Sequence, residues 1–549
     1  MDCIRQYWEE IQSGHIIAPR RIIQQYRPLV EELDHPSGPW VFDENKANAP
    51  IEFIERFCKQ SKGRWIGQEI ELQLFQKAKF QAIFGFVHAD TGLRRCREVF
   101  SVEARKNGKS CETSGIGNYM LLADGEGGPQ VCCVATKRDQ ARIVFGEAVN
   151  MVRQSPALQR FIRKRKSDMY SPFNFGTFEP LSSDSNTLDG LNMSCGILDE
   201  VHAMKDRNIY DVSVQSMGTR EQPLMYIITT SGFVRGGIYD ELYDLSCKRL
   251  DGLEGFEDQT KLAFIYELDD RSEWADPKMW EKANPGLGTI KSYDYLAKQV
   301  EDAKRRPNYL PTVLTKDFNI RETAAGAWMT YQDIDNTDTF KMEDVTDTYA
   351  IGGCDLSATT DLTCATLLIM KAGSDVKYVL QQYFLPQELL DKRVHEDKIP
   401  YDIWSKRGLL TACPGWKVNY SDVTAWFNKM RDEFKILPVW VYYDRALAGY
   451  WSEEMTSNGY TMVKCAQGAM TFSHPMKLLE ADLKAKLVNY NANPVLIWCL
   501  CNTSAKRDDN DNIRPIKGVS SRNRIDGMVS LLDAYVGLYE HQQDYNALI

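Results

Sequence analysis

A short strand, a basic glycine loop and a helix start, in that order, constrain this chain more than any other feature. Residues 98–102 are a β-branched and aromatic run, Ala104-Arg105-Lys106-Asn107-Gly108-Lys109-Ser110 follows, and 110–122 is compatible with a helix. Backbone N–H groups at such a helix N-terminus cradle phosphate, a lysine there reaches the β- and γ-phosphates, and the next hydroxyl ligates Mg²⁺. Arg105, Lys106, Asn107, Gly108, Lys109 and Ser110 are therefore the candidate nucleotide-binding loop, with Ser110 a metal ligand. The loop departs from the GxxxxGK[ST] pattern in one respect, because the first glycine position holds Glu103. A Gly-Lys-Ser tripeptide alone equally describes a surface turn, so a second element is needed.

Residues 195–198 (Cys-Gly-Ile-Leu) form an apolar strand that runs into Asp199 and Glu200, about 90 residues beyond Lys109. A strand of this kind lies beside the phosphate loop in P-loop ATPases. Its first carboxylate, Asp199, holds the Mg²⁺ shell, and its second, Glu200, polarises the attacking water. Together the two elements predict ATP hydrolysis.

The 549 residues exceed what one ordinary core takes, at about 100–200 residues per domain. Residues 1–60 read as a helical segment, with Ile22, Tyr26, Leu29, Val30 and Leu33 at helical spacing. From 61 the text alternates between apolar strands (131–136, 194–198, 224–230, and 261–268 as a further one) and helices after Ser110, Lys137 and Ile209. That alternation predicts a mainly parallel sheet. A polar helical lid closes this ATPase domain at about 245–325, and 326–346 reads as a linker. In the second domain, 347–549, the runs 349–355 and 362–370 form an expected hairpin, and 376–384 adds a third antiparallel strand. Runs 439–443 and 495–499 read as later strands, and an amphipathic helix starts at Gly527.

No apolar run approaches the roughly 18 residues of a membrane span, and the N-terminus lacks a signal-peptide pattern. The 14 cysteines are scattered with no CxxC pair, which fits cytosolic thiols and argues against a structural zinc site. A net charge of −10 argues against a constitutive nucleic-acid binder. It leaves open a motor that must release DNA at each step, whose grip would depend on local patches; the basic run at 160–166 is either such a patch or a solvated face.

Three aspartates of the second domain stand where a metal-dependent nuclease wants them. Asp355 ends one strand, Asp444 ends another, and Asp526 starts the final helix. Sites in α/β sheets gather at the carboxyl ends of strands, and two divalent ions held there would clamp the attacking water and the leaving oxygen of a phosphodiester. Hard oxygen ligands favour Mg²⁺ or Mn²⁺. Asp533, seven residues beyond Asp526 or roughly 10 Å along a helix, shares that face but not the same metal pair. Asp361 is an outside candidate.

With both regions placed, the chain resembles the large subunit of tailed-bacteriophage terminases, most closely the branch found in phages with cohesive-end genomes. The likeness rests on Gly92-Leu93-Arg94-Arg95, the loop from Ala104 to Ser110, and Ala135-Thr136-Lys137-Arg138-Asp139-Gln140-Ala141. It rests equally on Leu198-Asp199-Glu200-Val201-His202, Ile228-Thr229-Thr230-Ser231-Gly232 and Gly353-Cys354-Asp355-Leu356-Ser357. The resemblance implies an α/β P-loop ATPase domain that drives double-stranded DNA into a procapsid, followed by an RNase H-like mixed α/β endonuclease domain. It implies Arg105 as the basic residue contacting the γ-phosphate in cis, Thr229, Thr230 and Ser231 as the coupling motif, and Gln76 as the reader of adenine. It also makes Asp355, Asp444 and Asp526 the nuclease triad. Expected partners are the portal protein, the terminase small subunit and further copies in a ring on the procapsid, with room for an accessory nuclease. The expected location is the cytoplasm of an infected bacterium. Arg220 and Arg138 are the candidates for an arginine supplied to a neighbouring subunit. The competing reading is a helicase-like remodelling ATPase whose second domain binds nucleic acid without cutting it.

Overall fold

Apolar runs that read as buried strands form the centre of an eight-stranded sheet in a computed structural model. The structure describes residues 2–549 except 37, 137, 183–189, 205–206, 234–236, 307–308, 323–326, 358–360, 398, 445–448, 509 and 519–523. Two short strands, β1 (Trp40–Phe42) and β2 (Phe86–His88), pair with each other in a two-stranded sheet. The large sheet takes β3 (Glu98–Val102), β4 (Gln130–Ala135), β5 (Arg163–Lys164), β6 (Met169–Ser171), β7 (Gly176–Ser182), β8 (Cys195–Asp199), β9 (Leu224–Thr229) and β10 (Lys261–Ile265). Their order is β10-β3-β9-β8-β4-β7-β6-β5. All neighbours from β10 to β7 are parallel, and only β6 and β5 run antiparallel. Every residue of β8 and β9 is buried, as strands covered on both faces require.

Helices Cys3–Gln12 and Arg20–Asp34 belong to the same core as this sheet. Tyr26 packs with Phe264 of β10, ring centroids 5.9 Å apart. Residues 1–60 are thus part of the sheet's own unit, Met1–Arg321. The basic run at 160–166 falls on the edge strand β5 and its turns, with Arg165 paired to Asp168. Charge on a sheet edge discourages pairing with another strand, which gives the run a structural use. Helices Tyr293–Arg305 and Leu310–Asp317 close a small core of their own around Trp280, Leu296, Val300 and Leu314, within the span expected to form a lid.

The second unit, Glu322–Ile549, has a mixed sheet. It comprises β11 (Thr348–Asp355), β12 (Thr363–Ile369), β13 (Lys377–Pro386), β14 (Leu410–Cys413), β15 (Ile436–Asp444), β16 (Met462–Cys465) and β17 (Val488–Asn489). The order is β14-β13-β12-β11-β15-β16, with β17 beside β13. Strands β11, β12 and β13 form an antiparallel meander, whereas β15 and β16 add in parallel. A separate hairpin pairs β18 (Thr503–Arg507) with β19 (Ile513–Lys517). The final helix, Asp526–Asn546, lies against β11 at backbone distance: a Cβ on Gly353 would stand 2.1 Å from the Ser530 carbonyl oxygen. The Ser530 hydroxyl fastens the contact, donating to the Gly353 carbonyl at 3.1 Å. This close approach sets the helix start beside the end of β11.

Three expectations fail here. Residues 495–499 lie in a helix, Pro494–Cys501, because Asn493 caps it (its side chain accepts from Val495 N at 3.0 Å) and Pro494 takes the first turn. A short apolar run carries no period that separates strand from helix. The expected linker at 326–346 buries Met329, Tyr331 and Ile334 in the core of the second unit. The final helix is buried on all sides from Asp526 to Leu538, so it is a core helix there rather than an amphipathic one.

Candidate functional site

The phosphate loop leaves β3 and enters helix Lys109–Leu122 through two left-handed residues, Lys106 (φ +69°) and Gly108 (φ +90°). Gly108 meets that demand without strain, whereas a lysine at positive φ is uncommon and marks a loop held by its surroundings. Asn107 does the holding. Its Nδ2 donates to the Ala104 carbonyl (3.0 Å) and to Asn284 Oδ1 of the lid (3.1 Å), and its Oδ1 accepts from Gly286 N (3.1 Å). Lys109 Nζ curls onto the loop carbonyls, donating to Ala104 O at 3.0 Å and to Glu103 O. Burial lowers its pKa, while Glu103, Glu200 and Asp199 pull the other way.

Glu103, at the missing-glycine position, has no exposed surface. Lys79 Nζ lies 2.5 Å from its carboxylate and 2.8 Å from Glu112. Tyr226 donates to Glu112 at 2.6 Å and Gln76 Nε2 does so at 3.2 Å. Gln76 is therefore engaged at both ends of its amide, since its Oε1 accepts from Gln73 N at 3.0 Å. It joins the buried Glu112–Lys79–Glu103 network next to the loop, a position its sequence context did not suggest.

Parallel pairing of β3 with β9 and of β9 with β8 brings Asp199 and Glu200 beside the loop. Glu200 adopts a left-handed backbone (φ +56°, ψ +43°), the kind of local strain that concentrates at functional positions. Burial alone would raise its pKa, but a hydrogen bond from His202 and the nearby His202, Lys109 and Arg105 more than offset this, leaving it below the usual value. Asp199 moves oppositely, pushed up to about 7 by burial and by the Glu200 charge. Two adjacent carboxylates with separated proton affinities are a signature of division of labour.

Thr229, Thr230 and Ser231, the expected coupling motif, are buried at the end of β9. Ser231 N donates to Asn319 Oδ1 (3.2 Å), and its hydroxyl lies within hydrogen-bond distance of the Thr315 (3.1 Å) and Ile320 (3.2 Å) carbonyls. Arg105 N donates to the Lys316 carbonyl at 3.0 Å. Sheet, phosphate loop and lid are thereby tied at three points. Sequence reasoning missed Asn284 and Asn319, because nothing in a lid's polar text distinguishes a bridging asparagine from a turn residue. Arg220, offered as a trans-acting arginine, is instead committed to its own fold: its guanidinium donates to the carbonyls of Gly127, Gly128 and Asn192 at 2.8–3.1 Å. Arg138's side chain lies outside the described residues, as does Lys137.

In the second unit, β11 and β15 are parallel neighbours with Cys354 opposite Tyr443, so Asp355 and Asp444 end adjoining strands. Asp526 is the first residue of the helix packed across them. Burial pushes the Asp355 carboxyl well above its ordinary value, and the charges of Asp526, Asp533, Asp444 and Asp361 push it further. Asp526 rises to about 7 from burial and Asp361, against the pull of Lys517 and Arg524. Among the described residues no three acidic, histidine or cysteine groups already stand at ion-binding spacing. The donor set nevertheless suits a hard cation, because Asp526 Oδ2 and Asp533 Oδ1 are buried with no hydrogen-bond partner. Asp533, which helix spacing set aside, stands with Asp526 among the groups acting most strongly on Asp355, and Gln467 donates to its Oδ2 at 3.3 Å. Asp361 pairs with Lys517 (2.7 Å) and Arg524 (3.1 Å), which makes it a counter-charge rather than a ligand.

A phosphate loop beside paired strand-end carboxylates, followed by a mixed sheet with carboxylates at adjoining strand ends, defines a nucleoside triphosphatase joined to a metal-dependent nuclease. Family profiles agree in both halves: terminase large subunit, ATPase domain, matches residues 74–248, and terminase large subunit, endonuclease domain, matches 256–542. The chain is 29% identical over 489 residues to the terminase large subunit of Enterobacteria phage HK97, covering 88% of this chain and 93% of that one. It is 23% identical over 528 residues to the terminase large subunit of Lactococcus phage p2, covering 93% and 95%. The crystal structure of the HK97 large terminase aligns over 90% of this chain and 99% of its own, at 26% identity and a TM-score of 0.48. The chain belongs to the terminase large subunit family. Its two halves are the ATPase and the endonuclease of a phage DNA-packaging motor, and nucleotide and divalent metal both enter its chemistry. The helicase-like alternative is not favoured. Terminase large subunits in general act on DNA with a portal and a small subunit. Among the described residues no helix is long and apolar enough to cross a membrane.

Proposed function

We propose that Glu200 is the catalytic base of ATP hydrolysis and that Asp355, Asp444 and Asp526 form the cutting centre. The observation that carries the first assignment is the left-handed Glu200 backbone beside Asp199, its carboxyl held below the usual value against burial by His202, Lys109 and Arg105. In this reading the backbone N–H groups of Lys106 to Ser110 receive the phosphates, Lys109 leaves its loop carbonyls for the β/γ-phosphates, and Arg105 faces the γ-phosphate. Ser110 and Asp199 would hold Mg²⁺, which when bound would supply charge to offset that developing on the phosphates. Glu200 takes a proton from the attacking water. Release of γ-phosphate changes the field at Arg105 and Glu200, and Thr229, Thr230 and Ser231 pass that change to the lid through Thr315, Asn319 and Ile320. Gln76 holds the loop through Glu112.

In the nuclease, Asp355, Asp444 and Asp526 would hold Mg²⁺ or Mn²⁺, which supplies an activated water and neutralises the phosphodiester. The raised proton affinity of Asp355 and Asp526 is relieved when a cation replaces the proton. Duplex DNA is met through its phosphates, since a packaging motor must accept any sequence. The portal, the small subunit and a ring of copies complete the motor, with room for an accessory nuclease.

Supercoiled plasmid incubated with the purified protein and Mn²⁺ should be nicked, and EDTA should stop it. Nicking that survives EDTA would refute the metal-dependent mechanism. Arg105→Ala should lower kcat for ATP by about 10³-fold if it serves as an arginine finger in cis, with KM little changed. A rise in KM at constant kcat would reduce Arg105 to a binding residue.

A further inference from the structure

We infer that His202 is the positioning residue that links Glu200 to the coupling motif, by sharing one imidazole N–H between them. The inference rests on the assignment of Glu200 as base. His202 follows Glu200 by two residues in the short 3₁₀ turn Val201–Ala203 that ends the β8 loop. Its Nδ1 stands 2.9 Å from Glu200 Oε2, 3.1 Å from Thr229 Oγ1 and 3.3 Å from Thr230 Oγ1. A carboxylate can only accept, so the Glu200 contact places a proton on Nδ1.

The threonine side is arranged to accept as well. The Thr229 hydroxyl donates its own proton to the Thr230 carbonyl (2.8 Å) and already accepts from the His202 backbone N–H (3.0 Å). Its remaining lone pair faces the ring. One donor thus stands between rival sides, a catalytic carboxylate on one and the coupling threonines, Thr229 nearest, on the other. The ring has little room to leave this position, because a Cβ on Gly232, the residue after the motif, would lie 2.2 Å from His202 Cδ2. The coupling segment is moulded against the imidazole, and only glycine, at φ +58°, admits it.

The consequence is a two-position device. While Nδ1–H is held by Glu200, the carboxylate is oriented and the threonines are released. When Glu200 turns to water at the γ-phosphate, the N–H passes to Thr229. Thr229 heads the segment whose Ser231 grips the lid at Asn319, Thr315 and Ile320. Movement at the water-activating carboxylate is thereby converted to a change at the lid anchor through one side chain.

The test uses the full-length chain and reads ATPase kcat, KM for ATP and the stimulation of turnover by linear duplex DNA. His202→Ala should lower kcat about tenfold, the worth of one charge-assisted hydrogen bond, with KM unchanged and DNA stimulation lost. His202→Gln carries a donor and an acceptor of similar reach and should recover most of both. A role confined to packing would lower the melting temperature in both variants and leave the kinetic pattern alike in the two. Wild-type kinetics in His202→Ala, a defect shared equally by His202→Gln, or a loss confined to KM would each overturn the inference. If His202→Ala does not fold, His202→Gln decides through its DNA stimulation alone, with wild-type stimulation supporting the link and loss overturning it. Glu200→Gln in parallel separates the two readings: full turnover in that variant removes the base assignment, whereas an inactive Glu200→Gln beside an unaffected His202→Ala removes only the link.

Discussion

Glu200→Gln should cut ATP turnover about 10²–10⁴-fold, the range expected when a positioned general base is lost, while nucleotide still binds. The amide keeps the shape and the His202 contact but cannot take a proton. Binding survives because the phosphates are gripped by backbone N–H groups of the loop and by Lys109, none of which depends on Glu200. Steady-state hydrolysis and equilibrium binding of a labelled ATP analogue separate the two effects. Hydrolysis at the wild-type rate would remove Glu200 from the mechanism, and loss of binding would make it part of the nucleotide pocket instead. Nicking of plasmid should be unaffected, since the carboxylates proposed to cut belong to the other unit.

Asp355→Asn should reduce Mn²⁺-dependent nicking to background and leave ATP hydrolysis intact. Asp355 ends β11 between Asp444 on the neighbouring strand and Asp526 on the crossing helix, and its carboxyl responds to both. An asparagine keeps the volume and removes the negative charge a divalent cation needs. Removing one carboxylate from a crowded cluster also relieves repulsion, so the metal-free variant should unfold no earlier than the wild type. Preserved nicking would reject the triad, and a lower melting temperature without metal would show that Asp355 had been holding the fold.

How much of this could be read from residues alone follows a physical line. Apolar runs buried on both faces, such as 195–198 and 224–229, announce a parallel sheet, and carboxylates immediately after such runs announce its active edge. The positions of Asp199, Glu200, Asp355 and Asp444 at strand ends were legible for that reason. Residues whose role depends on a partner distant in sequence were not. Lys79 meets Glu103 and Glu112, Asn107 meets Asn284 and Gly286, and Ser231 meets Asn319, all pairings made by tertiary folding. Arg220 shows the converse. A lone arginine looks available until the loop carbonyls that absorb its donors are in view. Asp361 likewise reads as a metal ligand until Lys517 and Arg524 are found on it. Helix spacing correctly put Asp526 and Asp533 on one face, yet it could not show that Asp355 lies close enough to feel both.

Anomalous diffraction from crystals of the full-length protein grown with Mn²⁺ bears most directly on a chain that gathers ATP energy in one unit and cuts DNA in the other. The expected result is manganese in the second unit bound by Asp355 together with Asp444 and Asp526. Manganese seated elsewhere in that unit, with Asp355 bare, would contradict it.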